Sequence, residues 1–137
     1  MKILVTGASG FVGGALVQQI SSLHGIQVLT RKPIDLLIPD VQQLVAANIF
    51  EADLPDSIDV IIHLAGRAHI LNEQTIDPLS EFRKVNVEGT LQLARHALDK
   101  KVKRFIFMSS IGVNGSLTLQ QPFTEDAAPN FISGCGI

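Results

Sequence analysis

The chain has 137 residues, of which 46% are hydrophobic and 18% are charged, a balance typical of one compact domain rather than a disordered segment. The net charge of −2 gives no electrostatic basis for binding nucleic acid or an anionic membrane. No apolar run approaches the roughly 20 residues of a membrane span, and the N-terminus enters a strand too early for a signal peptide. The single cysteine, Cys135, fits a reducing compartment, so we expect a cytoplasmic domain that binds neither nucleic acid nor membrane.

Short β-branched runs alternate with helical patterns, which predicts βαβ units and a parallel sheet. Strands are expected over residues 2–5, 26–30, 43–47, 58–64 and 102–108, and the fourth is central because it is apolar on both faces. Helices are expected from residue 12 to Gly25 and from Asp77 to about Asp99, with Asp77 as N-cap and Pro78 in the first turn. The single domain, 1–137, ends in a polar, loop-like tail from about residue 117.

Right-handed crossovers between five such strands predict the order 3-2-1-4-5, an α/β, Rossmann-like, doubly wound parallel sheet. In this arrangement a ligand lies above the carboxyl ends of the first and fourth strands. Each polar motif described below falls at the carboxyl end of a predicted strand. We therefore expect these motifs to share one edge of the sheet.

The most informative segment is the glycine turn after the first strand, residues 6–13, with the spacing G-x-x-G-x-x-G. Glycine permits unusual turn conformations, close approach of a pyrophosphate, and close packing of the following helix. Backbone N–H groups and the positive end of the helix then face a phosphate, although a plain turn without a ligand is the alternative. We predict that the turn binds a dinucleotide through Gly7, Ser9, Gly10, Phe11, Val12 and Gly13.

The second strand ends in Thr30-Arg31-Lys32, where NAD-binding folds usually carry an Asp or Glu for the ribose hydroxyls. Two cations at this point attract a 2′-phosphate, so Arg31 and Lys32 favour NADP over NAD as the NAD(P) cofactor. The alternative is a pair of solvated surface cations.

Three further strand ends carry candidate residues. Asn48 and Ile49 after the third strand are suited to bonding and covering adenine, unless Asn48 only closes a turn. After the fourth strand, the small segment Leu64-Ala65-Gly66 lets the backbone pass close to a cofactor. We interpret the preceding His63 as a hydrogen-bonded strand-end histidine, and we expect no metal site. Ser110, after the fifth strand, either bonds a substrate oxygen or only bonds nearby backbone.

Four segments follow one another in an informative order: residues 6–13, DVIIHLAG at 59–66, NVEGT at 86–90 and FIFMSSIGVNG at 105–115. Together they resemble the extended short-chain dehydrogenase/reductase family, specifically its NAD(P)-dependent nucleotide-sugar epimerases, dehydratases and reductases. The resemblance implies bound NAD(P), a nucleotide-sugar substrate and Ser110 as the catalytic serine. The Val-Asn-Gly at 113–115, in place of Val-Tyr-Gly, resembles the branch that acts on UDP-N-acetylhexosamines.

The family's acid/base pair, Tyr-x-x-x-Lys, is where the chain departs from the pattern. Cys135 falls at the place of the Tyr, the Lys would lie beyond Ile137, and the sequence contains no tyrosine. The resemblance thus implies the amino-terminal NAD(P)-binding part of a UDP-hexose or UDP-N-acetylhexosamine epimerase or reductase, truncated before the sixth strand and the substrate domain and inactive as it stands. The alternative is a non-catalytic NADP-binding sensor or interaction module. An exposed fifth strand also predicts a homo-oligomer formed through that edge.

Overall fold

The structure, a computed structural model, describes residues 1–36, 38–48, 50, 52–67, 77–115, 117–118 and 121–130. This part of the chain contains five strands: β1 (Lys2–Thr6), β2 (Gly25–Thr30), β3 (Gln42–Val45), β4 (Val60–His63) and β5 (Arg104–Phe107). They pair in parallel as one sheet of order β3-β2-β1-β4-β5. The order predicted from right-handed crossovers is confirmed.

The strand bounds differ from the predicted ones because apolar runs extend beyond the paired ladder. Residues 3–6 of β1 pair with residues 60–63 of β4, whereas Ile58 and Leu64 contribute to the core from outside β4. The predicted limits 58–64, 102–108 and 43–47 were wrong for the same reason, and β3 starts one residue earlier. β1 extends to Thr6, which pairs with both Leu29 and His63.

The first helix, α1 (Phe11–Ile20), is shorter than predicted. It ends at Ile20 rather than at Gly25, because Gly25 pairs with Lys2 as the first residue of β2. The second predicted helix does begin after Asp77, whose side chain accepts a hydrogen bond of 3.1 Å from the Ser80 N–H.

That second helix is not uniform along its length. It consists of α2 (Pro78–Arg83), a π-helical segment (Lys84–Gly89) and α3 (Thr90–Asp99). The apolar periodicity of the sequence carried no sign of the π-helical segment, which places an extra residue in a turn. A 3₁₀ turn (Ile111–Asn114) after β5 was also not predicted.

The sheet has an apolar cluster on each face. Leu4, Leu29 and Ile61 pack with Leu93 and Ala97 of α3 on one face. On the other face, Ile3, Val5 and Val28 pack with Val17 of α1. β1 and β4 are therefore buried between two helical layers, and their carboxyl ends are fixed in position.

The described part of the tail, residues 117–118 and 121–130, contains no helix or strand. Two hydrogen bonds hold it to the 3₁₀ turn: Asn130 N–H to the Val113 carbonyl at 2.8 Å, and the Asn114 side-chain N–H to the Ala127 carbonyl at 2.9 Å. In the described ranges no helix is both long enough and apolar enough to cross a membrane.

Candidate functional site

The glycine turn lies where the strand order reverses, between β1 and β4, and this is the point where an open parallel sheet forms a crevice. Gly7 has a φ of +76°, in the left-handed region that favours glycine. A Cβ on Gly7 would lie 2.6 Å from the Leu64 carbonyl carbon and 2.7 Å from the Ala65 nitrogen. Only glycine satisfies both conditions, so the turn and the segment 64–66, which we call the β4 loop, are in direct contact.

Helix α1 starts at the end of this turn without a side-chain cap. Its N-cap is Gly10, whose N–H donates to the Gly7 carbonyl at 3.0 Å. A Cβ on Gly13 would overlap the same carbonyl, so the first helical turn packs directly on the glycine turn. The first turn carries no acidic side chain, and its N–H groups therefore offer a partial positive charge to an anion.

Three other predicted contacts of the glycine turn are exposed: Ser9, Phe11 and Val12. The Phe11 side chain is 96% exposed, directly beside the N-terminus of α1. These three side chains therefore lie at the surface, beside the uncapped N-terminus of the helix. Cofactor binding by these three residues stays a prediction.

At the carboxyl end of β2, Thr30 is only 7% exposed and its hydroxyl has no hydrogen-bond partner in the described part of the chain. Arg31 and Lys32 follow it and are exposed. Neither of these two cations forms an ion pair with a described residue. They are positioned as the charge argument requires, and their selection of a 2′-phosphate stays a prediction.

After β3, the side-chain oxygen of Asn48 accepts a hydrogen bond of 3.1 Å from the Phe50 N–H. This confirms the turn-closing interpretation of Asn48. The oxygen has a second lone pair that can accept a hydrogen bond from adenine, so the adenine contact stays a prediction. The other predicted adenine contact, Ile49, lies outside the described residues. Phe50 packs in a cleft where a Cβ on Gly89 would overlap its ring.

His63 lies fully buried at the end of β4, and it is held by two hydrogen bonds. Its Nδ1 is 2.7 Å from the Thr6 Oγ1, and its Nε2 is 3.0 Å from the Thr90 Oγ1. Burial lowers the pKa of His63 to about 4, so the ring is neutral at physiological pH. The interpretation of His63 as a hydrogen-bonded strand-end histidine is confirmed.

The β4 loop is also tied to the π-helical segment. The side chain of Asn86 accepts from the Arg67 N–H at 2.7 Å and donates to the Arg67 carbonyl at 2.9 Å. These paired bonds to one residue's backbone fix the chain directly after the loop. The predicted cofactor contacts Leu64, Ala65 and Gly66 therefore lie between two anchored points.

Ser110 is exposed and caps the 3₁₀ turn after β5, where its Oγ accepts from the Gly112 N–H at 3.1 Å. This is the local backbone role that the sequence left open. The hydroxyl hydrogen has no acceptor among the described residues, so it is available to a substrate oxygen. The catalytic role of Ser110 stays a prediction, and Cys135 lies outside the described residues.

Sequence reasoning missed the roles of Thr6, Phe50, Asn86 and Thr90. A usable signal was present for one of them, since Thr6, like His63, is a polar residue that ends an apolar strand, and the two strands are adjacent. No comparable signal marks Phe50, because its contact with Gly89 depends on tertiary packing. No group of three or more His, Cys, Asp or Glu residues in the described ranges is arranged to hold a metal ion.

The sheet order, the crevice and the uncapped helix together define a Rossmann-like domain of the class that binds dinucleotides. Comparison with known proteins narrows this class. The chain belongs to the NAD dependent epimerase/dehydratase family, whose model matches residues 3–135.

Individual relatives agree with this assignment. A UDP-glucose 4-epimerase of Vibrio cholerae is 42% identical over 132 residues, which cover 91% of this chain and 40% of the relative. A solved UDP-glucose 4-epimerase of Thermotoga maritima with UDP-glucose has a TM-score of 0.77 and 25% identity, covering 96% of this chain and 45% of that one. A solved UDP-glucuronic acid 4-epimerase of Bacillus cereus in complex with NAD has a TM-score of 0.75 and 27% identity, covering 97% and 47%. The chain thus spans less than half the length of these relatives.

Proposed function

We propose that the chain is the NAD(P)-binding part of a nucleotide-sugar epimerase or reductase that acts on a UDP-hexose or UDP-N-acetylhexosamine. The observation that carries this proposal is the uncapped N-terminus of α1, which faces the crevice between β1 and β4. The relatives from Vibrio cholerae and Thermotoga maritima are named as UDP-glucose 4-epimerases, which supports a UDP-sugar as the substrate.

The described residues fit a dinucleotide. In the proposal, N–H groups around Gly10 and Gly13 hold the pyrophosphate, Asn48 meets the adenine, and the β4 loop passes the nicotinamide half. Ile49, which the sequence also assigns to the adenine, lies outside the described residues. A bound nicotinamide supplies a hydride acceptor and donor. A Cβ on Gly13 would overlap the Gly7 carbonyl, so only glycine lets the start of the helix pack directly against the turn. This close packing supports the assignment.

We infer a preference for NADP from Arg31 and Lys32. Both side chains are exposed at the carboxyl end of β2 and have no ion-pair partner among the described residues. An exposed pair of cations gains more from a doubly charged phosphate than from a ribose hydroxyl. The NAD in the Bacillus cereus relative belongs to that protein, and a direct comparison of the two dinucleotides decides the question here.

We further propose that these 137 residues alone bind the cofactor but do not convert a nucleotide sugar. In this proposal Ser110 donates its hydroxyl hydrogen to a substrate oxygen and orients the sugar. A serine hydroxyl is too weak a base to remove a sugar proton unassisted, and the sequence has no tyrosine to do so. The absence of tyrosine from the sequence also favours the alternative function, a non-catalytic NADP-binding sensor or interaction module.

The test is a calorimetric titration of the chain with NADP, with NAD and with UDP-glucose. We expect NADP to bind more tightly than NAD, and Gly10→Ala to weaken NADP binding by about tenfold or more, because the new methyl occupies the approach of the pyrophosphate. Gly14→Ala is the matched control, since its Cβ would make only an ordinary contact, 3.5 Å from the Ala8 carbonyl oxygen. The proposal is contradicted if the chain binds neither dinucleotide, or if the Gly10→Ala variant binds each dinucleotide as tightly as the wild type does.

We also propose that the chain self-associates through the outer edge of β5. Ile106 and Phe107 are 39% and 52% exposed, and β5 pairs only with β4 in the described part of the sheet. An unpaired strand edge with apolar side chains is a template for a second copy.

A further inference from the structure

Five groups around His63 form one chain of hydrogen bonds, which we call the His63 relay. Its members are the Ala65 N–H, the Thr6 hydroxyl, the His63 ring, the Thr90 hydroxyl and the Asn86 carbonyl. The relay starts at a group that only donates, the Ala65 N–H, and ends at a group that only accepts, the Asn86 carbonyl. These two ends determine the position of every hydrogen between them.

The Asn86 carbonyl determines which group donates and which accepts in each hydrogen bond on its side of the relay. The Thr90 hydroxyl donates its only hydrogen to the Asn86 carbonyl at 2.9 Å, so toward His63 the Thr90 oxygen acts as an acceptor. The Nε2 of His63, 3.0 Å from that oxygen, must therefore carry a hydrogen.

The other half of the relay follows in the same way. A neutral imidazole has one N–H, so Nδ1 is an acceptor for the Thr6 hydroxyl at 2.7 Å. The Thr6 oxygen in turn accepts from the Ala65 N–H at 3.2 Å. Each hydrogen is used once, and the relay is complete only with a neutral ring in the Nε2–H tautomer.

The surroundings of His63 favour the same state. Three phenylalanine rings lie around it, with centroids 6.3, 6.0 and 5.8 Å away: Phe50, Phe105 and Phe107. Thr6 and Thr90 are uncharged, and no charged side chain in the described part of the chain contributes to the lowered pKa of His63. A second ring hydrogen at Nδ1 would face the hydroxyl hydrogen of Thr6.

The relay joins the parts of the candidate site that must keep a fixed separation. Thr6 immediately precedes Gly7 of the glycine turn, Ala65 is in the β4 loop, and Asn86 holds the backbone that follows the loop. The Gly7 and Leu64 backbones are so close that a single methyl group would not fit between them. A small shift of either segment therefore changes the crevice.

We propose that His63 is a positioning residue, which bridges Thr6 and Thr90 in one neutral tautomer and thereby holds the glycine turn and the β4 loop at the separation that a dinucleotide requires. This inference rests on the proposed dinucleotide binding. His63 does not touch the cofactor in this role, because its ring is fully buried and both of its nitrogens are engaged within the fold.

The first test is ¹⁵N NMR of the His63 ring in the full chain without ligand. From about pH 5 to about pH 8 we expect a protonated Nε2 and an unprotonated Nδ1, with no titration over that range. A merely space-filling histidine is free to populate both neutral tautomers, whereas the relay admits only Nε2–H. A ring with the opposite tautomer, or one that gains a proton near pH 6.5, overturns the relay.

The second test compares Thr90→Val with Thr90→Ser. The valine has nearly the same shape but no hydroxyl, so the buried Nε2–H loses its acceptor while Nδ1 still accepts from Thr6, and one buried donor is left unpaired. NADP affinity should fall by about tenfold, in line with the loss of one buried hydrogen-bond partner. Thr90→Ser keeps the hydroxyl and should keep both the wild-type tautomer and the wild-type affinity.

The outcomes separate the two proposals. If Thr90→Val binds NADP as tightly as the wild type, the positioning role is wrong and dinucleotide binding stands. If the wild type shows the Nε2–H tautomer but binds neither NADP nor NAD, the proposed function is wrong, and the positioning role fails with it. Thermal unfolding of each variant identifies any loss of affinity that comes from unfolding alone.

Discussion

At the scale of single residues, His63 makes the stability of the fold depend on pH. Burial lowers its pKa from 6.5 to about 4. Above about pH 6.5 the ring is neutral in both the folded and the unfolded chain, and its hydrogen bonds contribute fully. As the pH falls from there toward about 4, the unfolded chain binds a proton that the folded chain does not.

We therefore predict that acidification from about pH 7 to about pH 4 removes on the order of 3 kcal/mol of unfolding free energy through His63. The measurement is urea unfolding at several pH values in that range. His63→Gln retains one hydrogen-bonding arm and cannot titrate, so its stability should change less with pH than that of the wild type. Parallel pH dependence in the two proteins would show that other groups cause the loss.

Asp59 provides a contrast at the other end of β4, directly before the first residue of the strand. A hydrogen bond from Lys103 and another from the Lys2 N–H lower its pKa. Since the carboxylate form is the one stabilised in the fold, this contribution is present above the ordinary Asp pKa and is lost only at more acidic pH. The pH window of His63 therefore lies above that of Asp59.

At the scale of secondary structure elements, the glycine at the end of the π-helical segment is explained by what it contacts. Glycine in a helix is less stable than alanine by about 1 kcal/mol, so Gly89 requires a compensating contact. That contact is the Phe50 ring, which occupies the space that a Cβ would need and also packs edge-on against His63. The segment thus connects the loop after β3 with the relay.

Gly89→Ala should consequently destabilise the fold by about 1–3 kcal/mol, because the methyl displaces the Phe50 ring. Phe50→Leu alone should also be destabilising, but the double variant should lose less than the sum of the two single losses. Chemical denaturation of the four proteins gives this coupling directly. Additive losses would mean that the contact between Gly89 and Phe50 does not determine the cost.

The elements also show how far sequence reasoning reaches. The order of the strands and the glycine turn were predictable, because buried parallel strands are apolar runs and because turn conformations restrict residue type at Gly7. The limits of β3 were less accessible, since this strand at the sheet edge is mostly exposed and carries little apolar pattern. The His63 relay was not predictable as a whole, because Thr6 and Thr90 reach His63 only through strand register and helix packing.

At the scale of the whole molecule, the two edges of the sheet differ. β3 forms one edge of the sheet and carries two polar residues, Gln42 and Gln43, before Leu44 and Val45. β5 forms the other edge in the described part of the sheet, and Ile106, Phe107 and Met108 are exposed on or just after it. Apolar side chains on an unpaired edge favour strand pairing with a second copy, whereas polar ones oppose it.

We expect the chain to form dimers or larger species through β5, with a mass that rises with concentration in size-exclusion chromatography coupled to light scattering. Ile106→Lys places a charge on this edge and should shift the equilibrium to monomer, because the long apolar stem of lysine still covers the sheet while its ammonium group opposes pairing. Leu98→Lys is the control, since Leu98 is an exposed apolar residue of α3 and not of the β5 edge. If Leu98→Lys dissociates the assembly and Ile106→Lys does not, the helix face and not the strand edge is the interface. A monomer at all concentrations contradicts self-association itself, while leaving the dinucleotide site, which lies at the carboxyl ends of β1 and β4, unaffected.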